Sequence, residues 1–188
     1  MRWRPMRPDD LAAVEEMAGM IHESHPEDAA VFAERLALHP AGCLILESVR
    51  ESVGEPAGEP GVIGDAETSA MSATGVTAAG YALTHPWLYG MPPALDTMLG
   101  AIPAGADCYH IHDIALLQTA RGSGAASAAV RAVLDHARTI GLARATLVAV
   151  NDTLPFWQRH GFQIDESPAL AAKLATYAGA ARHMSRIL

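Results

Sequence analysis

The sequence predicts a mixed α/β protein with one central sheet. Two helical patterns come first, over about 11–21 and 27–38, and strand-like runs at 43–49 and 76–85 follow as an antiparallel middle. The second half of the chain then runs in the order strand, glycine-rich loop, helix and strand. This order of elements is typical of a domain in which helices cover a single sheet.

The first elements are bounded by clear start and stop signals. A short edge strand is predicted at 3–6, and the proline and two aspartates at 8–10 begin a helix whose apolar positions recur at helical spacing as far as Ile21. A second helix is predicted from about 27 to 38. The apolar run at 43–49 is typical of a buried strand.

The middle of the chain contains a break in this pattern. Gly-Glu-Pro occurs twice, at 54–56 and 58–60, among small polar residues without a sustained period. We therefore predict a long mobile insertion in a hairpin at about 50–75. A strand resumes at 76–85, and a short helix is predicted at 95–99.

Two helices and three strands are predicted in the last quarter of the chain. A buried strand at 145–150 is followed by a short helix that ends at Gly161 and leads into another strand. Ser-Pro at 167–168 resembles an N-cap followed by proline at the first helical position, which predicts a helix to Tyr177. A closing strand is predicted at 183–188.

Composition and charge limit the class of protein and its partners. We expect one domain over residues 1–188. Of these residues, 50% are hydrophobic and 18% are charged, which allows a substantial core. No apolar run approaches the roughly 18 residues that span a bilayer, and the arginine-rich start leads into no apolar signal segment. We therefore expect a cytoplasmic protein without a membrane partner. The net charge of −8 disfavours nucleic acid as a partner and mildly favours cationic ligands.

A glycine-rich loop at 121–126 is the clearest candidate binding site. It follows a strand-like run at 109–117 and opens a helix with one apolar face that stops at Gly141. Gly122 and Gly124 lack the Cβ atoms that would keep a ligand away from the backbone. Because successive N–H groups at a helix start can point at an anion, the loop is suited to a pyrophosphate.

Other nucleotide-binding motifs fit this loop less well. A P-loop requires a lysine after its last glycine, and none follows Gly124. A dinucleotide fingerprint requires glycine or alanine where this chain has Ser127, although Asp152 could imitate the acidic residue at the end of the next strand. A nicotinamide-dependent oxidoreductase therefore stays open as an alternative.

Two motifs of the second half resemble the GNAT superfamily of N-acyltransferases. Arg121, Gly124 and Ala126 match its acyl-CoA signature, and Asn151 with the segment 156–162 matches its later motif. The resemblance implies the GNAT fold, a single mixed and mostly antiparallel sheet flanked by helices, with splayed parallel strands that hold CoA. It also implies acetyl-CoA as the co-substrate and an amine as the acceptor.

The resemblance assigns cofactor-binding roles to individual residues. The backbone of Leu116 and Leu117 would hydrogen-bond the pantetheine arm, and Asn151 would bind pantetheine or cap the helix that follows. The pyrophosphate would lie on Arg121, Gly122, Ser123, Gly124, Ala125 and Ala126.

Trp157 departs from the family pattern. Many members carry a tyrosine at this place, four residues before the Gly161-Phe162 pair, and it is thought to protonate the departing CoA thiolate. Indole is only a donor and keeps its proton at physiological pH. Trp157 would wall the thioester channel or pack in the core, while water or Tyr177 protonates the thiolate or the thiolate leaves ionised. The departure also keeps open a non-catalytic CoA-binding or regulatory module.

His110 and His112 are the candidate catalytic residues. Alternate residues of a strand face the same side, so both imidazoles would project from one face and Ile111 and Asp113 from the other. An ammonium must lose a proton before it attacks a thioester, and histidine, with a pKa of about 6.5, can accept one. The alternative is a pair of partly buried histidines that only hydrogen-bond their surroundings.

The histidine pair resembles the His-x-His of arylalkylamine N-acetyltransferases. This resemblance implies transfer to the primary amine of a small molecule, by direct attack in a ternary complex. We expect no metal, because no acidic or cysteine ligand is placed to complete a set with the histidines, and Cys43 and Cys108 lie in apolar runs typical of buried thiols. The identity of the amine, and whether the chain is a monomer or a homodimer, stay open.

Overall fold

The computed structural model describes seven strands and four α-helices. The described residues are 1–23, 26–49, 76–150, 153–165, 170, 174 and 181–188. The strands are β1 (Arg2–Pro5), β2 (Cys43–Val49), β3 (Val76–Trp87), β4 (Cys108–Leu116), β5 (Arg144–Ala149), β6 (Gln163–Ile164) and β7 (Arg182–Ile187). The helices are α1 (Leu11–Ile21), α2 (Ala29–Leu38), α3 (Ala125–Thr139) and α4 (Leu154–Arg159).

All the described strands form one mixed sheet in the order β1-β2-β3-β4-β5-β7-β6. Within it, β4 and β5 pair in parallel and the other neighbours pair antiparallel. The predicted mixed, mostly antiparallel sheet with flanking helices is therefore confirmed. It differs from the doubly wound parallel sheet that a dinucleotide-binding protein requires.

The two parallel strands separate soon after they begin to pair. β4 and β5 are in register only from Tyr109 and Ala145 to Ile111 and Leu147, yet β4 continues to Leu116. Beyond the last pair, each strand turns polar backbone groups toward a gap that a ligand can fill. This separation is the predicted splay.

Helices cover the sheet on both faces and form two main cores. The core beneath α1 and α2 contains Val14, Met17, Phe32, Leu36, Ile45, Tyr81 and Leu83. The core beneath α3 and α4 contains Tyr109, Ile111, Val130, Val133, Leu134, Trp157 and Phe162. α3 is helical because its small and aliphatic residues recur along one buried stripe.

A β-bulge interrupts β4 at His112. Leu83 of β3 lies opposite Asp113, whereas the next residue, Thr84, lies opposite Ile111, so His112 is an extra residue in the register. An extra residue moves the side chains that follow it to the other face of the sheet. The bulge therefore changes which residues of β4 share a face.

The bulge brings Asp113 to the face of the histidines. Ile111 packs in the core beneath α3, as predicted. The carboxylate of Asp113 accepts a hydrogen bond of 2.6 Å from the Tyr81 hydroxyl in the core on the other face. The prediction that Asp113 points away from His110 and His112 is therefore wrong, because strict strand alternation does not hold across a bulge.

The prediction of a short helix at 95–99 is also wrong. Side chains of α2, rather than other residues of a helix, hydrogen-bond the backbone groups of this segment. Arg35 donates a hydrogen bond of 2.7 Å to the carbonyl of Thr97, and Glu34 accepts one of 2.7 Å from the N–H of Leu99. This segment is a loop fastened to α2.

Several predictions concern residues outside the described ranges. They are the mobile insertion at about 50–75, the helix at 167–177 except for its residues 170 and 174, and Asn151. Val49 and Val76, at the ends of β2 and β3, pair antiparallel as a hairpin requires. Within the described ranges, no helix is both long and apolar enough to cross a membrane.

Candidate active site

The gap between β4 and β5 opens into a groove of about 490 Å³. Its walls come from the last turn of α1, the ends of the two splayed strands, the start of α3, and α4. The lining residues include Ile114, Leu116, Arg121, Ala126, Val148, Phe156 and Trp157. The groove therefore joins the predicted anion loop to the centre of the sheet.

The loop at one end of this groove has the backbone of an anion site. Gly122 has φ +76° and Gly124 has φ +82°, values that L side chains rarely adopt. Gly124 is the N-cap of α3, so the first N–H groups of a helix of fifteen residues point into this loop without helical partners. The geometry suits a pyrophosphate.

Side chains around the loop hold its shape. The Ser123 hydroxyl donates to the carbonyl of Ala120 at 2.7 Å and accepts from the N–H of Ala125 at 3.3 Å. Arg121 is exposed, and its Nε donates to the carbonyl of Leu116 at 3.3 Å. The guanidinium of Arg121 therefore stays beside the groove, where it can meet a phosphate.

The other predicted cofactor residues lie at different depths of the groove. Leu116 lines it, whereas both backbone groups of Leu117 have partners within the protein: its N–H donates to the carbonyl of Ala79 at 2.9 Å, and its carbonyl accepts from the N–H of Ala120 at 2.9 Å. Trp157 lines the groove and is only 8% exposed. Its ring packs edge to face on Phe162, 5.4 Å away, so channel wall and core packing coincide in this residue.

A second, smaller cavity of about 70 Å³ adjoins the groove. Its lining residues are His22, Glu27, Leu95, His110, His112, Asp113, Val148 and Val150. His22, His112 and Asp113 also line the groove. The two spaces therefore meet at three titratable side chains.

His112 forms a close pair with Glu27, which lies just before α2. Its Nε2 is 3.0 Å from Glu27 Oε2, and each side chain is 9% exposed. Burial alone would raise the pKa of Glu27, but the hydrogen bond and charge of His112 outweigh it and the pKa is lowered. Because a carboxylate only accepts, Nε2 of His112 carries the hydrogen and the lone pair of a neutral ring lies on Nδ1. The pair can therefore accept a proton.

His110 is less exposed to solvent than His112. It is 4% exposed, its Nδ1 lies 3.1 Å from Thr146 Oγ1, and its ring centroid is 5.4 Å from that of His85. Burial and the neighbouring histidines hold the pKa of His110 well below its usual value. Burial likewise lowers the pKa of His85 to about 3. Both rings are therefore neutral at physiological pH.

A second imidazole and carboxylate face the same cavity. His22 Nε2 lies 2.9 Å from Asp113 Oδ2. Burial lowers the pKa of His22, but the hydrogen bond and charge of Asp113 outweigh it and the pKa is raised. Burial raises the pKa of Asp113, yet its bonds to His22 and Tyr81 leave it lowered. This pair is therefore charged in mildly acidic solution.

The described part of the chain contains no group of three or more ligands suited to a metal. Cys43 and Cys108 are free and buried. Burial raises the pKa of the Cys43 thiol to about 12 and that of Cys108 to about 11. Both are therefore unreactive thiols in the core.

Sequence reasoning did not identify Glu27, His22 or Asp113 as site residues. Glu27 and His22 lie 85 and 91 positions from their partners in β4, and neither stands in a motif. Asp113 was predicted on the wrong face of the sheet, because the sequence does not reveal the bulge at His112.

Comparison with known proteins identifies the class of this domain. The sequence model of the acetyltransferase (GNAT) family matches residues 64–162, which is more than half of the chain. The chain therefore belongs to the acetyltransferase (GNAT) family, whose members transfer acyl groups from acetyl-CoA. A comparison with curated protein sequences finds no match.

Several solved structures share the fold over nearly their whole length. Ard1 from Thermoplasma volcanium is 14% identical, with a TM-score of 0.62, over 100% of this chain and 97% of that chain. Arabidopsis thaliana Naa50, in complex with a bisubstrate analogue, is 11% identical with a TM-score of 0.62, over 100% and 98%. GphF, a GNAT-like decarboxylase in complex with isobutyryl-CoA, is 15% identical with a TM-score of 0.69, over 100% and 99%. At these identities the likeness confirms the GNAT fold alone.

Proposed function

We propose that this protein is an acetyl-CoA-dependent N-acetyltransferase that modifies the primary amine of a small molecule by direct attack in a ternary complex. One observation carries the proposal: the groove and the small cavity meet at His112, which is hydrogen-bonded to Glu27. A donor in the groove and an acceptor in the cavity would meet at a base.

The groove would hold the donor. Backbone N–H groups of the loop and the start of α3, with Arg121, would bind the pyrophosphate. The splayed ends of β4 and β5 would hold the pantetheine arm, with the backbone of Leu116 and Leu117 on one side. Acetyl-CoA supplies the activated acyl group, and backbone N–H groups of β4 would polarise its carbonyl.

The small cavity would hold the amine. Asp113 and Glu27 make the cavity attractive to an ammonium ion, which matches the acidic balance of the chain. Nδ1 of His112 would take the proton, and the carboxylate of Glu27 would stabilise the imidazolium that forms. The amine nitrogen then bonds to the acetyl carbon and loses its second proton to water, and the carbon–sulfur bond breaks as CoA thiolate leaves.

His110 would have a different role from His112. Its neutral ring lies between Thr146 and His85 and lines the cavity. We propose that it passes protons or orders water beside His112 rather than holding a charge itself. The likeness of the pair to arylalkylamine N-acetyltransferases supports an amine of a small molecule as acceptor.

Trp157 occupies the place of the usual tyrosine. It would wall the thioester channel, and the thiolate would leave ionised or take a proton from water. A cytoplasmic location and a monomeric or homodimeric state complete the proposal.

The proposal is tested by release of free thiol from acetyl-CoA over a panel of arylalkylamines, polyamines, aminoglycosides and amino acids. We expect amine-dependent release and an acetylated product by mass spectrometry. Thermal stabilisation by acetyl-CoA without turnover of any amine would instead indicate a CoA-binding module. Consumption of an acyl-CoA without thiol release, as a decarboxylase gives, would also contradict transfer.

A further inference from the structure

Asp96 has an unusual backbone conformation beside the acceptor cavity. Its φ is +52°, and it is the one residue other than glycine with positive φ in the described part of the chain. Aspartate tolerates the left-handed region better than most residues, but at a cost. Strain of this kind persists only where the surroundings impose it, and it is concentrated at functional sites.

Asp96 and the start of α2 bind each other reciprocally. The N–H of Asp96 donates to Glu27 Oε1 at 3.1 Å, and the N–H of Asp28 donates to Asp96 Oδ1 at 2.7 Å. The other oxygen of Glu27 accepts from His112. Glu27 is therefore held between a backbone donor in the loop and an imidazole in the sheet.

The loop that carries Asp96 is itself fixed. Arg35, which is fully buried, donates to the carbonyl of Thr97. Glu34 accepts from the N–H groups of Leu99 and Gly100, at 2.7 and 2.8 Å. These bonds fasten the loop to α2, and the conformation of Asp96 then turns its N–H toward Glu27.

We propose that Asp96 is a positioning residue that holds the Glu27 carboxylate against His112. This inference rests on the proposed function, in which His112 deprotonates the amine. Asp96 acts through its backbone N–H on Glu27 and through its carboxylate on Asp28. The left-handed conformation is needed because it is the arrangement that makes both bonds at once.

Two substitutions separate the conformation of Asp96 from its charge. Asp96→Asn keeps a side-chain oxygen for the N–H of Asp28 and tolerates positive φ, so it should preserve both hydrogen bonds between residue 96 and the start of α2. Asp96→Ala loses the acceptor and disfavours positive φ, so Glu27 should move away from His112. We expect kcat to fall by about tenfold in Asp96→Ala, since loss of positioning acts on the chemical step, with KM for acetyl-CoA unchanged and with Asp96→Asn close to wild type.

A carboxyl NMR titration of Glu27 gives a readout independent of turnover. The groups that face Glu27, besides Asp96, are His22, Arg35, Tyr81, His112 and Asp113. Since the Asp96 N–H helps to lower the pKa of Glu27, the pKa should rise in Asp96→Ala and stay in place in Asp96→Asn. Glu27→Gln assigns the signal.

The two readouts distinguish the failure of each idea. If the Glu27 titration and kcat are the same in Asp96→Ala as in wild type, the positioning proposal is overturned. If the titration shifts as expected while no amine is turned over by wild type, Asp96 does position Glu27 and the proposed function fails. Asp96→Gly, which keeps positive φ accessible but lacks the acceptor, replaces Asp96→Ala if that variant does not fold, and it should give the same direction of change.

Discussion

At the scale of single residues, Gly124 is placed so that an added side chain would contact no other part of the described structure. A Cβ at this position would meet nothing within 4 Å, and it would project into the space around the loop. The same is true of Gly141, which has the same φ of +82° at the other end of α3. The two glycines therefore form a matched pair.

We expect Gly124→Ala to raise KM for acetyl-CoA several-fold, because its Cβ would project into the space where we propose that the pyrophosphate binds. Gly141→Ala should leave KM unchanged. Both should lose about 1–2 kcal/mol of stability from the left-handed conformation. Steady-state kinetics and thermal unfolding of the two variants check this, and an equal effect on KM would contradict the anion site.

The pair of His22 and Asp113 predicts a pH dependence of stability. The raised pKa of His22 stabilises the fold below about pH 6.5, and this stability is lost as pH rises through the folded-state pKa. The lowered pKa of Asp113 stabilises the fold above about pH 4, and this stability is lost as pH falls. The contribution of the pair is therefore largest between these values.

His22→Gln keeps a donor for Asp113 but cannot carry charge. We expect it to lower the melting temperature most near pH 5.5 and least at pH 9. Burial lowers the pKa of His136, so this histidine destabilises the fold in acid. His136→Gln is therefore the control, and it should raise the melting temperature only in acidic solution. Thermal unfolding across this pH range is the measurement, and an equal loss at every pH for His22→Gln would argue against the ion pair.

At the scale of elements, α4 contributes Trp157 to the core beneath α3 and to the groove at once. We expect Trp157→Phe to leave kcat within about twofold, because an indole does not release its proton at physiological pH. Trp157→Ala should lose about 3–5 kcal/mol of stability from the cavity it creates. Trp87→Phe, in a residue outside the groove, is the control. Loss of kcat in Trp157→Phe with unchanged KM and stability would assign the indole a part in the chemistry.

The elements show where prediction from sequence succeeds. The strand at 43–49 and the helix after Gly124 were predicted because apolar spacing and glycine stops are local signals. The bulge at His112 and the loop at 95–99 were not, because both depend on partners distant in the chain. Nothing in the sequence around Asp96 indicates that Glu34 and Arg35 hold that loop.

At the scale of the whole molecule, the family and the fold follow from the second half of the chain, whereas the acceptor side does not. The anion loop and the splay of β4 and β5 belong to one strand–loop–helix unit, which carries a recognisable motif. The small cavity that we propose for the acceptor is lined by residues from the end of α1, the start of α2, the loop at 95–99 and the strands β4 and β5. Tertiary packing alone brings Glu27 to His112.

The central claim is that donor and acceptor meet at His112, and the pH dependence of amine-dependent thiol release tests it most directly. In His112→Ala, we expect the rate to fall by about 10²-fold or more and to keep rising with pH, because solvent must then supply the free amine. The wild-type rate and that of His136→Ala, a histidine outside both cavities, should reach a plateau. A His112→Ala profile identical in shape and height to wild type would contradict the claim.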